Sequence, residues 1–346
     1  MNIFITGVAG FLGSNLADFY IKKNFNVFGC DNLVGGDLDN VDKKVKFFKA
    51  DCEDLPRMKS LIKNIDVVIH AAAFAHESLS IFSPNLISKN IINGSTAVFS
   101  AAIQNKVKRI VFCSSIARYG NAKIPYLENS NPMPVDPYGI CKLAAEKILI
   151  NLCQTYGIEY NIAIPYNIIG IKQKYDDPYR NVASIMINLM LQNRQPIIYG
   201  DGEQTRSFSD IDDCIFCLDK LVRDPKIISE VINIGPGADE RISVNNLFGE
   251  ISNQLKFNKS PIYKPERVNE IKNAICSSAK ASKKLGYRSK KSFKKVISKM
   301  VSHIKKKGPK KFIYNYDLEI VNEITPDTWK NKIIWIKYLY INVCYL

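Results

Sequence analysis

The chain of 346 residues has no apolar run of about 18 residues or more, which excludes a membrane-spanning helix. Its first seven residues, Met1 to Gly7, include no basic side chain. They run straight into a strand-like segment, so they do not read as a secretory signal. The nine cysteines are scattered and odd in number, which speaks against a disulfide framework and for a reducing cytoplasm. Cys214 and Cys217 form a lone C-x-x-C with Ile215, Phe216 and Leu218 around it. Without a second pair, packing along one helix is favoured and no metal site is expected. No internal repeat is present.

Acidic residues are missing from one long stretch. Between Lys280 and Lys311 there are fourteen Lys or Arg and no Asp or Glu. The net charge of +15 is therefore local, because the rest of the chain has 34 basic and 33 acidic residues. Such a run forms a solvated helix face or attracts anionic surfaces. Nucleic-acid binding by stacking wants aromatics interleaved. The run has only Tyr287 and Phe293, so no nucleic-acid partner is read from it. The segment Ile333 to Leu346, rich in Ile, Tyr and Trp and interrupted by Lys337, is too short to span a bilayer. It is expected to pack on the body or on a partner.

With 46% hydrophobic residues, the chain can bury a large core. Short apolar segments alternate with helical patterns. Strands are predicted at 2–6, 26–30, 45–50, 66–72, 109–113 and 161–164, with long helices at 85–105 and from Tyr138 onward. The order implies a Rossmann-type, doubly wound parallel sheet, whose functional groups collect at the carboxyl ends of the strands. After Asn167 the alternation breaks down, and Pro165, Pro178 and Pro196 punctuate the chain. Residues 1–166, with a returning segment near 205–235, are read as a dinucleotide-binding domain. Residues 167–204 and 236–346 are read as a smaller C-terminal substrate-binding domain and tail.

The first strand runs into Gly7-Val8-Ala9-Gly10-Phe11-Leu12-Gly13 and then a helix. Gly7 permits a tight turn, Gly10 a close approach of backbone to a pyrophosphate, and Gly13 close packing of helix on strand. The helix N-terminus offers unpaired N–H groups to phosphate. Asp31, at the end of the second strand, is placed to accept hydrogen bonds from ribose hydroxyls and would repel a 2′-phosphate, so NAD is favoured over NADP. The alternative is a turn-forming Asp, with Asn32 beside it. Asp51 either caps the helix from Leu55 or contacts the adenine amine. Ala71-Ala72-Ala73 is a small-residue turn that lets a cofactor come close. His70 reads as a satisfied core histidine.

Tyr138 and Lys142 stand four residues apart, on one face of a helix that Asp136 can cap and Pro137 can start. A free phenol titrates near pH ~10. An ammonium one turn away is expected to lower that value and make Tyr138, in an exposed first turn, a general base.

Together these features resemble the extended short-chain dehydrogenase/reductase family, and within it the NAD-dependent nucleotide-sugar epimerases and dehydratases, UDP-glucose 4-epimerase among them. The motifs are Thr6-Gly7-x-x-Gly10-Phe11-Leu12-Gly13, Asp31-Asn32-Leu33, His70-Ala71-Ala72, Ser114-Ser115, Tyr119-Gly120, Tyr138-x-x-x-Lys142, Asn167, and Asp201-Gly202-x-x-x-Arg206-x-Phe208. They cover the chain from Asn2 to about Trp329. The resemblance implies that Ser115 hydrogen-bonds the reacting hydroxyl, Tyr138 is the base, and Lys142 holds the nicotinamide ribose. It adds Cys52 and Pro165 to the cofactor site. Asn167, Arg206 and Arg267 are implied at the substrate phosphates, and Asn181 and Tyr199 at the nucleotide end. For the arginines, a surface ion pair is the alternative to a forked grip on phosphate. A homodimer through the helices at 85–105 and 138–156 is also implied.

Three departures stand out. The family's Asn three residues before the glycine matching Gly94 is replaced by Ile91, with Asn90 one position off. A family arginine three residues before Asn167 is Ile164. The Asp-Glu pair that follows the catalytic Thr in 4,6-dehydratases is Ile116-Ala117. Without those carboxyls no acid is evident to expel a C6 hydroxyl. Epimerisation at C4 of a UDP-glucose/UDP-galactose type substrate, through a 4-keto intermediate, is expected over dehydration. A 4-keto reductase, a dehydratase, a glucuronate-type epimerase and a non-catalytic NAD-binding protein are the competing readings.

Overall fold

Seven short apolar segments pair into one sheet in the computed structural model, which describes residues 1–237, 241–289 and 292–334. The strands are β1 (Asn2–Thr6), β2 (Asn26–Asp31), β3 (Lys46–Lys49), β4 (Val67–His70), β5 (Arg109–Cys113), β6 (Glu159–Pro165) and β7 (Glu230–Ile234). Their spatial order is β3-β2-β1-β4-β5-β6-β7, and every neighbouring pair is parallel. The seventh strand comes from the returning segment expected near 205–235. The order reverses between β1 and β4, which opens a crevice beyond their carboxyl ends.

Alternate residues of each strand enter opposite layers, as the period of two requires. Phe4, Val68, Ile110 and Ile162 pack with Met58 of α2 (Leu55–Leu61) and with Val98 and Leu149. Ile3, Ile5, Ile69 and Val111 pack on the other side with Leu16 of α1 (Phe11–Lys22) and with Leu218 and Leu221. Cys214 and Cys217 are both fully buried in that second layer. The helix expected over 85–105 is instead three pieces in succession. After the single turn α3 (Glu77–Ser80) come α4 (Pro84–Ser88), a π-turn over Lys89–Asn93, and α5 (Gly94–Gln104). Next is α6 (Pro137–Tyr156), capped by Asp136 through the Gly139 N–H at 2.8 Å and closed by Gly157 at φ +68°. Asp51 is not the cap of α2. Asp54 fills that place by accepting the Arg57 N–H.

A separate cluster joins α7 (Val182–Leu191) with two helices from the last third of the chain. Met186, Ile187 and Met190 of α7 meet Leu247 and Ile251, then Ile297 and Met300. Between these segments, α8 (Ile211–Arg223) returns to the sheet. The later helices are α9 (Val244–Leu255), α10 (Ala279–Leu285) and α11 (Phe293–Lys307). Parts of the basic run are tied to the body: Lys280 and Lys284 to Glu230, Lys299 to Asp212 and Lys310 to Asp37. Lys290, Lys291 and the tail from 335 lie outside the described residues, so the packing expected of the tail falls there. No helix among the described residues is long and apolar enough to cross a membrane.

Candidate active site

The turn after β1 is built on contacts only glycine permits. Gly7 sits at φ +69°, and a Cβ on it would meet Ala72 Cα at 2.9 Å. A Cβ on Gly13 would lie 2.1 Å from the Gly7 carbonyl oxygen. Thr6 Oγ1 accepts both the Ala71 and Ala72 N–H groups at 3.1 Å, pinning the small-residue turn against the glycine loop. With two N–H donors on that oxygen, the hydroxyl proton points to His70 Nδ1 at 2.8 Å, and His70 Nε2 reaches Ser95 at 3.0 Å. Both ring nitrogens are satisfied. Burial pushes the His70 imidazole down to about 3, aided by the Lys142 charge. No side chain caps the N-terminus of α1 at Gly10, so its first N–H groups stand open toward the crevice.

A cavity of about 290 Å³ runs along the carboxyl ends of the strands and is lined by this loop with Phe11 and Leu12. Asp31, Asn32, Asp51 and Cys52 line one end of it, with Ala71, Ala72 and Ala73 on its wall. Asp31 accepts the Ala9 N–H at 3.1 Å and the Leu33 N–H at 2.8 Å, so it forms the turn while still facing the cavity. Burial raises its carboxyl above the usual range. Asn32 donates to Asp51 at 2.9 Å. This cradle, with its open helix end and acidic far end, has the donors and acceptors that a dinucleotide requires.

Ser115, Tyr138, Lys142 and Pro165 line the other end of the same cavity. Ser115 follows β5 and caps the turn Ile116–Arg118 by accepting the Ala117 N–H at 3.2 Å. Tyr138 is 5% exposed, not the exposed residue expected of a first turn, because α3 covers it: Ser80 Oγ accepts the Tyr138 N–H at 3.1 Å. The lysine is bonded to backbone. Lys142 Nζ donates to the Cys113 carbonyl at 2.9 Å and lies 5.9 Å from the Tyr138 ring centre. Burial, and then the Glu77 charge, push the Tyr138 phenol well above its usual value, with the Ser115 hydroxyl and Arg180 pulling it back. Burial lowers the Lys142 ammonium to about 8. The expected lowering of the phenol by this lysine is thus corrected: desolvation raises it, and the groups that pull it back are Ser115 and Arg180.

A second cavity of about 290 Å³ adjoins the first and is lined by Asn181, Tyr199, Arg206 and Arg267. Asn181 opens α7 at φ +66°, and its side chain accepts from Gln173 at 2.9 Å. Tyr199 bonds Thr328 Oγ1 at 2.6 Å. The Arg267 guanidinium stacks 4.2 Å over the Tyr199 ring and 5.4 Å from Trp329, and its Nε has no partner among the described residues. Arg206 is ion-paired with Glu270 at 3.2 Å and donates to the Thr205 and Lys272 carbonyls. The ion pair considered from sequence exists, but it forms part of the cavity wall rather than open surface. Asn167, at φ +37°, lines both cavities and a smaller one between them. Its buried Nδ2 has no partner among the described residues, an unmet donor aimed where a polar ligand would sit.

Three further residues face these cavities. Asn90 accepts the Phe74 N–H at 2.9 Å and lines the first cavity. The π-turn absorbs one extra residue and rotates Asn90 inward, while Ile91 goes to the core at 2% exposure. The one-position offset in the sequence was the signal for it. Arg180 lines both large cavities and lies 3.8 Å from Asp177, itself 3.0 Å from the buried His76. Glu77 lines all three cavities. It follows no motif, and it places a carboxyl in a site where none was evident.

The profile of the NAD dependent epimerase/dehydratase family matches residues 3–235. A protein of Methanocaldococcus jannaschii, provisionally named a UDP-glucose 4-epimerase, is 33% identical over 308 residues, covering 88% of this chain and 98% of that one. The structure of Thermotoga maritima UDP-glucose 4-epimerase with UDP-glucose is 31% identical, superposes with a TM-score of 0.83, and covers 89% of this chain and 99% of that one. That of Bacillus cereus UDP-glucuronic acid 4-epimerase with UDP-glucuronic acid and NAD is 26% identical, with a TM-score of 0.80 and coverage of 89% and 100%.

Proposed function

The chain belongs to the NAD-dependent epimerase/dehydratase family, and on that premise we propose that it epimerises a UDP-glucose/UDP-galactose type nucleotide sugar at C4. The observation that carries this reading is the convergence of Ser115, Tyr138 and Lys142 with the glycine loop and Asp31 on one cavity. That cavity adjoins another lined by Arg206 and Arg267. The glycine loop, Asp31 and Asn32 would hold NAD, with Asp51, Cys52 and the alanine turn beside its adenine half and Tyr138, Lys142 and Pro165 beside its nicotinamide half. NAD held there would supply the hydride acceptor and donor for C4 and a positive charge near the phenol.

The chain's own residues do the rest. Tyr138 takes the proton from the C4 hydroxyl and gives it back. Ser115 hydrogen-bonds that hydroxyl and, by favouring the phenolate, eases the transfer. Arg206, Arg267 and Asn167 anchor the diphosphate and Asn181 the nucleotide end, which lets the 4-keto sugar turn over without leaving. Tyr199 lines the nucleotide end. Incubation with UDP-glucose and chromatography of the sugar tests the reading. A galactose–glucose equilibrium is expected, and a 4-keto or 6-deoxy product would overturn it. The reading includes a homodimer through α5 and α6, supported by Ile140 on α6 at 52% exposure. Sedimentation of Ile140→Glu should then report a monomer.

A further inference from the structure

We propose that Glu77 selects the sugar, admitting neutral hexoses and turning away nucleotide sugars with a carboxylate on the ring. The inference rests on the epimerase reading and deepens it, because relatives of this fold act on both UDP-glucose and UDP-glucuronic acid.

Glu77 is held in place through the catalytic helix itself. Ser80 Oγ donates to the Glu77 carbonyl at 2.5 Å and accepts the Tyr138 N–H at 3.1 Å. The first turn of α6 and the turn carrying Glu77 therefore move as one piece. Glu77 and Asn167 both line the cavity of Tyr138, the cavity of Arg267 and the smaller one between them. A sugar whose C4 lies at Tyr138 and whose diphosphate lies at the arginines must pass these two side chains.

The charges around Glu77 decide what passes. Asp136 and Glu270 lie close enough to repel its charge, and Arg206 to attract it. Arg206 is already engaged by Glu270 at 3.2 Å. Of the other cations lining these cavities, Arg180 has Asp177 at 3.8 Å, Lys142 is bonded to the Cys113 carbonyl, and Arg267 stacks on Tyr199 toward the diphosphate end. A ring hydroxyl can donate to the Glu77 carboxylate in a charge-assisted hydrogen bond. A ring carboxylate at Glu77 meets like charge, and two arginines in the wall, Arg206 and Arg180, each already face a carboxylate.

The test compares kcat/KM for UDP-glucose and UDP-glucuronate in the parent, Glu77→Gln and Glu77→Asp, at about pH 8.5, where a carboxyl is ionised. The parent should favour UDP-glucose by at least tenfold. Glu77→Gln should move that ratio at least tenfold toward the uronate, and Glu77→Asp should keep it near the parent's. A purely structural role would lower both substrates together and leave the ratio in place. A parent that prefers the uronate, a Gln variant with the parent's ratio, or release of a 4-keto-6-deoxy sugar would each overturn the proposal while leaving catalysis on a nucleotide sugar standing. If the parent neither turns over nor binds either compound, the epimerase reading falls and this proposal with it. Inhibition of the parent by UDP-glucuronate gives the same comparison without a variant, with an inhibition constant at least tenfold above the KM for UDP-glucose expected.

Discussion

The Lys142 ammonium is bonded to the Cys113 carbonyl at the end of β5, 2.9 Å away. That bond anchors α6 to the sheet and directs the lysine to backbone rather than to the phenol. Its burial has a measurable consequence. The folded-state value is lowered from 10.5 to about 8, so between those pH values the unfolded chain binds more protons at this site. The lysine's contribution to stability therefore rises as pH goes from about 8 to 10.5. Lys142→Met should abolish that rise, a difference on the order of 3 kcal/mol between parent and variant over the window. Urea denaturation of both proteins at pH 7.5 and 10.5 measures it, and parallel behaviour would refute the assignment.

Tyr138→Phe removes the hydroxyl and nothing else from the cavity wall. A fall in kcat of about 10³-fold is expected, with the melting temperature of the ligand-free protein changing by no more than a few degrees. Turnover within tenfold of the parent would mean that another group takes the proton.

Two glycines of the loop should fail in different ways. A Cβ at Gly13 would strike the Gly7 carbonyl oxygen at 2.1 Å, so Gly13→Ala should cost more than ~2 kcal/mol in folding. A Cβ at Gly10 meets only that oxygen, at 3.2 Å. Gly10→Ala should stay within ~1 kcal/mol of the parent in urea yet bind NAD about tenfold more weakly by calorimetry, because the methyl group stands where phosphate approaches the helix end. Equal loss of stability in both variants would contradict this separation.

Asn90→Ala takes the acceptor from the Phe74 N–H. Destabilisation of ~1 kcal/mol is expected from the lost bond, together with a weaker hold on NAD, since the Phe74 segment forms the cavity wall beside Ala73. Asn90→Asp keeps an acceptor oxygen at that position and should restore most of the stability. If Asn90→Ala melts with the parent, the π-turn has no such role.

Tyr138, Lys142, the glycine loop and Asp31 were legible in the sequence because their chemistry is local. A cap and a proline start α6, glycines permit one turn, and the apolar alternation that built the parallel sheet is a property of neighbouring residues. Asn90 was half legible, as an asparagine one place off. The π-turn that corrects it depends on how Ile91 and Ile87 fit the core. Glu77 was invisible, since no spacing relates it to Tyr138. Only the docking of α3 on α6 through Ser80 sets its carboxyl in the cavity. Sequence by itself determined on which elements the candidate groups stand. Tertiary structure decided their charge states and their company, because desolvation and long-range contacts exist only once the layers have closed.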